Sequence, residues 1–184
     1  MDLLKNIFKQ IDSVAKKNKT PAYVVGGFVR DFLMGREQNK DVDFVVVGSG
    51  LEFAKKFDKE LQKKGLPGRS PDSVGTKPGS LVEFADFDTA RYIIGDGDEK
   101  IILEFAGARS EKYDKNSRKP KVEATTLEQD LSRRDFTVNA MAVPVSIFAG
   151  TKPLTIAALK KKIEDPFGGQ EDLKSKVLRT PMSP

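Results

Sequence analysis

The sequence predicts an α/β fold of the α+β kind, and three patterns carry that prediction. Apolar residues recur at helical spacing over residues 2–17 and 51–64, with lysines on the opposite face. Short apolar runs of strand length, at 22–26, 41–47, 81–87, 89–94, 100–105 and 141–145, are bounded by glycines or charged loops. Strand and helix alternate through the first third of the chain, and several strands then follow one another. A length of 184 residues, 38% hydrophobic and 32% charged, suits one medium domain, or one domain with part of another, that can bury a core.

Taken in order, Leu3, Leu4, Ile7, Phe8, Ile11, Val14 and Ala15 make the inner face of the first helix, which ends near Thr20-Pro21. Residues 22–26 form a buried strand broken by Gly26-Gly27, and a helical pattern resumes over 28–34 and stops at Gly35. A polar loop leads into Asp41-Val-Asp43-Phe-Val-Val-Val47, a strand closed by Gly48-Ser-Gly50. The next helix turns Leu51, Ala54, Phe57 and Leu61 inward and Lys55, Lys56, Lys59, Lys63 and Lys64 outward; such a basic face is more often solvated than in contact with nucleic acid. Residues 66–80, rich in Gly, Pro and Ser and containing Val74-Gly75-Thr76-Lys77, read as a mobile loop near the site. Strands follow over 81–87, 89–94 and 100–105, the last two joined by Gly95-Asp-Gly-Asp98. Residues 109–121 read as a charged loop with no core face. Thr125 or Thr126 is placed to cap a helix running to Leu131, 141–145 returns as a strand, and 163–180 reads as a turn and a short amphipathic helix.

Composition excludes several chemistries. The chain has no cysteine and no histidine, so disulfides, thiolate or imidazole metal sites and Ser-His or Cys-His nucleophiles are all ruled out. Catalysis must run on carboxylates, Arg, Lys, hydroxyls, backbone and bound metal. A net charge of +5 permits a polyanionic partner without identifying one. No run approaches the ~18 apolar residues of a membrane span, and Met1-Asp-Leu-Leu-Lys5 carries no signal-peptide pattern, so a cytoplasmic protein without a membrane partner is expected.

Within that restricted chemistry, side-chain alternation places Asp41 and Asp43 on the same face of a strand, where two carboxylates repel unless a cation joins them. Mg²⁺ suits such a place, because it takes one or two carboxylates together with substrate phosphates. An isolated Asp-x-Asp is more often the acidic start of a surface strand; the neighbouring motifs weigh against that here. Gly26-Gly27, at a strand-to-helix turn, lets the backbone approach an anion, and Arg30, one turn on, is within reach of it unless it pairs with Asp31. Glu104, alone in an apolar strand, requires a cationic partner, either a metal shared with the Asp pair or an arginine such as Arg109. Arg133, Arg134, Asp135 and Asn139 are poor choices for a core and point to recognition of phosphate and ribose.

The ordered set Gly26-Gly27-x-Val29-Arg30-Asp31, Asp41-x-Asp43, Glu104, Arg133-Arg134-Asp135-Phe136-Thr137-x-Asn139-Ala140 and Asp165-Pro166-Phe167-Gly168-Gly169-x-x-Asp172 resembles the bacterial-type (class II) CCA-adding tRNA nucleotidyltransferases. The related bacterial poly(A) polymerases share it, within the DNA polymerase β-like nucleotidyltransferase superfamily. The resemblance runs from about residue 22 to 180 and implies a head domain over residues 1–150, a small mixed sheet flanked by helices, with 151–184 leading into a helical neck. It implies that Asp41 and Asp43 hold two Mg²⁺ ions, with Glu104 as a third carboxylate. Gly26, Gly27 and Arg30 would contact the triphosphate, and Arg133, Arg134, Asp135 and Asn139 the nucleotide. The implied substrates are ATP, CTP and the tRNA 3′ end. In the family the base is selected by a neck helix that follows the Asp-Pro-Phe-Gly-Gly segment. The chain ends before such a helix, so an N-terminal piece of a longer enzyme is expected, weakly active or inactive alone. The head motifs leave open whether CCA, CC, A or a poly(A) tail is added. A non-catalytic nucleotide- or RNA-binding module is the alternative of a different class, and it has no use for a repulsive acidic cluster.

Overall fold

The computed structural model describes residues 2–36, 40–63, 80–95, 97, 100–112 and 121–182. Along the chain these form α1 (Asp2–Asn18), β1 (Ala22–Val25), α2 (Gly27–Leu33), β2 (Asp41–Val46), α3 (Gly50–Lys63), β3 (Ser80–Phe84), β4 (Thr89–Ile94), β5 (Ile101–Gly107), β6 (Arg109–Lys112), β7 (Lys121–Ala124), α4 (Leu127–Ser132), β8 (Ala142–Pro144), α5 (Val145–Phe148), α6 (Ile156–Lys160) and α7 (Gly169–Ser175). Short 3₁₀ turns lie at Ala85–Phe87 and Thr137–Asn139. Six strands make one sheet in the order β3-β4-β5-β2-β1-β8, in which β2 and β5 run parallel and every other neighbour is antiparallel. This is the small mixed sheet that the sequence implies.

Alternation along these strands divides the sheet into two unlike faces. Val24, Val42, Phe44, Val46, Tyr92, Leu103 and Phe105 pack in one cluster with Ile7, Phe8, Ile11 and Val14 of α1 and Phe53, Phe57 and Leu61 of α3. Phe44 and Phe105 stack at 5.0 Å, and Phe57 fills the space between Phe105 and Tyr92 at 5.5 and 5.4 Å. The intervening residues, Asp41, Asp43, Arg91 and Glu104, therefore lie on the opposite face. Only part of that face is covered, by a small cluster of Val25, Val45, Ala108, Leu131, Ala140 and Ala142. The site stands on the part left open.

Several boundaries differ from those predicted. The strand expected over 81–87 stops at Phe84, because the chain turns through a 3₁₀ turn into Asp88, which has φ of 46°. The charged loop predicted over residues 109–121 opens with β6 and ends at the first residue of β7, and these strands pair from Arg109↔Ala124 to Lys112↔Lys121; residues 113–120 lie outside the described residues. A two-stranded ribbon needs no core face, so its sequence has no apolar period to reveal it. Val145 starts α5 and does not extend β8. Helix α6 is not among the predicted elements, although Thr155 caps it by accepting from the Ala158 N–H (3.2 Å) and its Leu159 is fully buried. The expected Thr126 cap is present, accepting from the Gln129 N–H at 3.3 Å. The 66–79 part of the predicted loop, with Val74-Gly75-Thr76-Lys77, and Asp96 and Asp98 of the predicted turn lie outside the described residues.

The Asp-Pro-Phe-Gly-Gly-x-x-Asp segment docks α7 against the Thr137–Asn139 turn. Asp165 accepts the Gly169 and Gln170 N–H groups at 2.6 and 2.9 Å. Asp172 is buried and accepts from the Thr137 hydroxyl at 2.6 Å. A side chain on Gly169 would strike the Thr137 carbonyl oxygen, so only glycine permits this approach.

A second buried carboxylate sits beneath α3. Asp58 accepts from the Tyr92 hydroxyl at 3.0 Å and from the Gln62 amide at 2.9 Å. Burial first, and then the Asp58 charge, push the Tyr92 pKa well above its ordinary value of 10.0. The tyrosine therefore stays protonated in the fold at a pH where it ionises in the unfolded chain, and the stability it contributes is full below about pH 10 and falls above it. Tyr92→Phe should cost about 1–3 kcal/mol of unfolding free energy by urea denaturation at neutral pH, with the gap to wild type shrinking above pH 10.

Candidate active site

The site begins where β1 ends. Val25 pairs with Asp43, so the glycine turn after β1 lies beside the second carboxylate of β2. Gly26 has φ of 71°, a region that side chains rarely tolerate, and a Cβ there would stand 3.3 Å from Asp43 Oδ2 and 3.6 Å from Arg134 Nη1. The backbone thus closes up against both a carboxylate and a guanidinium. A Cβ at Gly27 would stand 3.4 Å from Arg30 Nη2.

Asp41 and Asp43 are both exposed on the open face, one pleat apart. Asp43 is opposite Glu104 across the parallel pair, and Glu104 is opposite Arg91 on the next strand. Although Asp43 opens to the cleft, the surrounding protein partly desolvates its carboxyl, and the nearby charges of Glu104 and Asp41 add to this; together they raise its pKa above the ordinary carboxylate range, with Arg134 and Arg91 pulling the other way. Holding this acid ionised with no cation bound costs stability, a cost that appears as the pH rises through its raised pKa. Glu104 accepts from Arg91 at 2.9 Å, so the arginine that meets it is Arg91 and not the Arg109 that the sequence offered as the alternative to a metal. Arg109 donates instead to the Phe87 carbonyl at 2.7 Å.

The arginines of the Arg-Arg-Asp segment are held by a residue that the sequence reading passed over. Asp130, fully buried, accepts from Arg133 Nη2 at 2.7 Å and from Arg134 Nη2 at 3.2 Å, and takes the Arg109 backbone N–H at 3.3 Å. Spacing held the clue, since residues three and four apart on a helix share a face. Arg134 Nε is buried with no hydrogen-bond partner. Arg30 forms a bidentate pair with Asp31 at 2.9 and 3.1 Å and donates to Asn139 Oδ1 at 2.8 Å, so it fixes Asn139 from the far side.

These segments enclose a polar cleft of about 300 Å³ lined by Gly26, Gly27, Asp43, Arg133, Arg134, Asp135 and Asn139. The structure thus gathers seven of the ten predicted residues around one space. Asp41 precedes Asp43 on the same strand face, Glu104 neighbours it across the sheet, and Arg30 reaches the cleft through Asn139. A slightly larger hollow of about 370 Å³, lined by Lys16, Lys19, Tyr23 and Pro144 among others, contains none of these groups. Among the described residues, no three acidic side chains are close enough to hold a metal together. The donor set nevertheless fits Mg²⁺, which needs only one or two carboxylates when phosphate oxygens complete its shell. A cation beside Asp43 would offset the burial and the Glu104 and Asp41 charges that raise its pKa.

A mixed sheet that carries an Asp-x-Asp strand beside a glycine turn and an arginine-lined cleft is the frame of a nucleotidyltransferase head. The chain belongs to the poly A polymerase head domain family, which it matches over residues 22–179. It is 43% identical over 159 residues to an A-adding tRNA nucleotidyltransferase of Aquifex aeolicus, with 86% of this chain and 15% of that protein covered. A CCA-adding enzyme solved in an apo form superposes with a TM-score of 0.70 at 34% identity, covering 99% of this chain and 36% of the other. A tRNA nucleotidyltransferase solved with a primer tRNA and an incoming ATP analog superposes with a TM-score of 0.63 at 35% identity, covering 94% and 39%. The chain therefore spans well under half the length of these relatives.

Removing the Asp130 anchor separates the arginines' support from their own chemistry. Asp130→Ala should lower stability by about 3 kcal/mol, the low end for a broken buried pair because both arginines keep some solvent contact. Thermal unfolding measures the loss. Nucleotide binding, followed by calorimetry below the unfolding range, should weaken as well.

Proposed function

We propose that this chain is the nucleotide- and metal-binding head of an enzyme that extends the tRNA 3′ end without a template. It would add CCA, or only CC or A, from CTP and ATP, and use two Mg²⁺ ions. The observation that carries this reading is the convergence of Gly26, Gly27, Asp43, Arg133, Arg134, Asp135 and Asn139 on one cleft. In the reaction the RNA 3′-oxygen bonds to the α-phosphorus of the triphosphate, the bond to the β-phosphate breaks, and pyrophosphate leaves. Such a transfer needs positioning and charge and no covalent nucleophile, so a protein without His or Cys can perform it.

Each residue has a place in that scheme. Asp41 and Asp43 would hold the Mg²⁺ ions, which when bound lower the pKa of the attacking hydroxyl and neutralise charge on the departing pyrophosphate. Arg134, with an unsatisfied Nε and a terminal nitrogen beside Gly26, would meet phosphate oxygens, and Arg133 would support it from the same Asp130 anchor. The Gly26-Gly27 turn leaves room for the triphosphate against the backbone. Asn139, held by Arg30, and Asp135 would address the ribose and base. Glu104 would balance charge beside Asp43, through Arg91 as the structure has it.

A poly(A) polymerase is the second reading, favoured by the family description itself. Supplying each triphosphate with a tRNA lacking its CCA end separates the two, because a tail of A alone on many RNAs marks the polymerase. No helix among the described residues is long and apolar enough to cross a membrane, and the reading places the enzyme in the cytoplasm.

The test of the carboxylate assignment is direct. Asp41→Asn and Asp43→Asn should each reduce nucleotide incorporation by roughly a hundredfold or more, with the fold retained by circular dichroism. Chelation of divalent ions should abolish incorporation and added Mg²⁺ restore it. Incorporation unchanged in both variants overturns the assignment.

A further inference from the structure

Two phenylalanines on the open side of the sheet are kept out of the core. Phe84, at the end of β3, is 38% exposed, and Phe87, in the following 3₁₀ turn, is 45% exposed. Single exposed apolar residues are ordinary, but each of these rings carries a guanidinium. Arg91 lies 5.9 Å from the centre of the Phe84 ring and Arg109 lies 5.8 Å from that of Phe87. A partly exposed ring with an arginine over one face can extend that stack to a base, with the guanidinium near the base's phosphate.

The turn that presents the rings is fixed. Asp88 adopts φ of 46°, which non-glycine residues seldom accept, and two sets of bonds hold it there. Its carboxylate accepts the Gly50 and Leu51 N–H groups at 3.1 and 3.3 Å, and its carbonyl accepts the Gly107 N–H at 3.1 Å. The Phe87 carbonyl is held as well, by the Thr89 hydroxyl at 3.0 Å and by Arg109 at 2.7 Å. A turn pinned to α3 and β5 cannot fold its rings inward, so their exposure is built in.

Both rings connect to the carboxylate site. From Phe84 the path runs through Arg91 to Glu104, which is the register partner of Asp43. From Phe87 it runs through Arg109, whose backbone N–H binds Asp130, the anchor of Arg133 and Arg134.

We infer that Phe84 and Phe87, with Arg91 and Arg109, form a stacking platform for the unpaired 3′ strand of the RNA, holding its last bases beside Asp41 and Asp43. This rests on the nucleotidyl-transfer reading above and extends it to the polynucleotide substrate. Bases stack on the rings, and the arginines neutralise the backbone between them. The platform suits single-stranded RNA, since bases inside a duplex do not offer their faces.

The chain has no tryptophan, so Phe87→Trp creates a single emitter at the platform. Titration with a short single-stranded RNA should quench its emission, and the matching duplex should not. Phe84→Ala and Phe87→Ala should each raise the dissociation constant for the same RNA by roughly five- to a hundredfold, and leave triphosphate affinity within about twofold of wild type. Both losses together with quenching support the platform. If wild type extends RNA while the alanine variants bind it as tightly as wild type and the tryptophan is not quenched, the platform is wrong and the nucleotidyl-transfer reading stands. A full-length enzyme carrying this head unaltered that neither extends nor binds RNA overturns both.

Discussion

Side-chain alternation along β2 is the constraint on which the rest of the molecule depends. Val42, Phe44 and Val46 must point into the core formed with α1 and α3, and this forces Asp41 and Asp43 to the other side. A slip of one residue in register would bury both carboxylates and expose Phe44. Such a slip is excluded on both flanks: β1 pairs Val25 with Asp43, and β5 pairs Glu104 with it. The packing that stabilises the fold thereby also sets the position of the acids.

Electrostatics then decides what the open face can accept. Burial first, and then the charges of Glu104 and Asp41, disfavour the ionised form of Asp43. The protein offsets this only in part, with Arg91 on Glu104 and Arg134 near Asp43. Asp130 consumes some of the positive charge of Arg133 and Arg134, and in exchange fixes where their guanidinium groups point. Carboxylates and guanidinium groups thus stand side by side on the open face, the pairing that the proposed metal–triphosphate complex calls for. Sites of this kind trade stability for function.

How much of this could be read from the sequence depended on the kind of signal. The apolar periods of α1, α3 and the central strands were plain, because burial leaves a regular mark. The carboxylates and arginines stood out as charges where a core was expected. Asp130 was overlooked because an acid on a short helix resembles a solvated one until the fold buries it. The spacing left Glu104 between a metal and an arginine such as Arg109, and strand register sets Arg91 opposite it. The β6–β7 ribbon has few apolar residues, and α6, five residues with Leu159 alone buried, is too short to show a period. Whether Arg30 turns to Asp31 or to an anion is left open by its spacing, and in the structure it binds Asp31 and Asn139.

The C-terminal motif is tied to the same site by a route no local pattern discloses. The Thr137–Asn139 turn has two clients: Thr137 binds Asp172 of α7, and Asn139, two residues on, receives Arg30 at the cleft. The Thr137 N–H also donates to the Arg179 carbonyl at 2.8 Å, and the Arg179 side chain lies 3.4 Å from Asp172. Anything that displaces α7 must therefore disturb either the Thr137 hydrogen bonds or the orientation of Asn139. A turn of three residues has little freedom to absorb such a shift. The segment after β8 is thus part of the structure that shapes the cleft, and the glycine at position 169, where no Cβ fits against Thr137, sets how closely that support can approach.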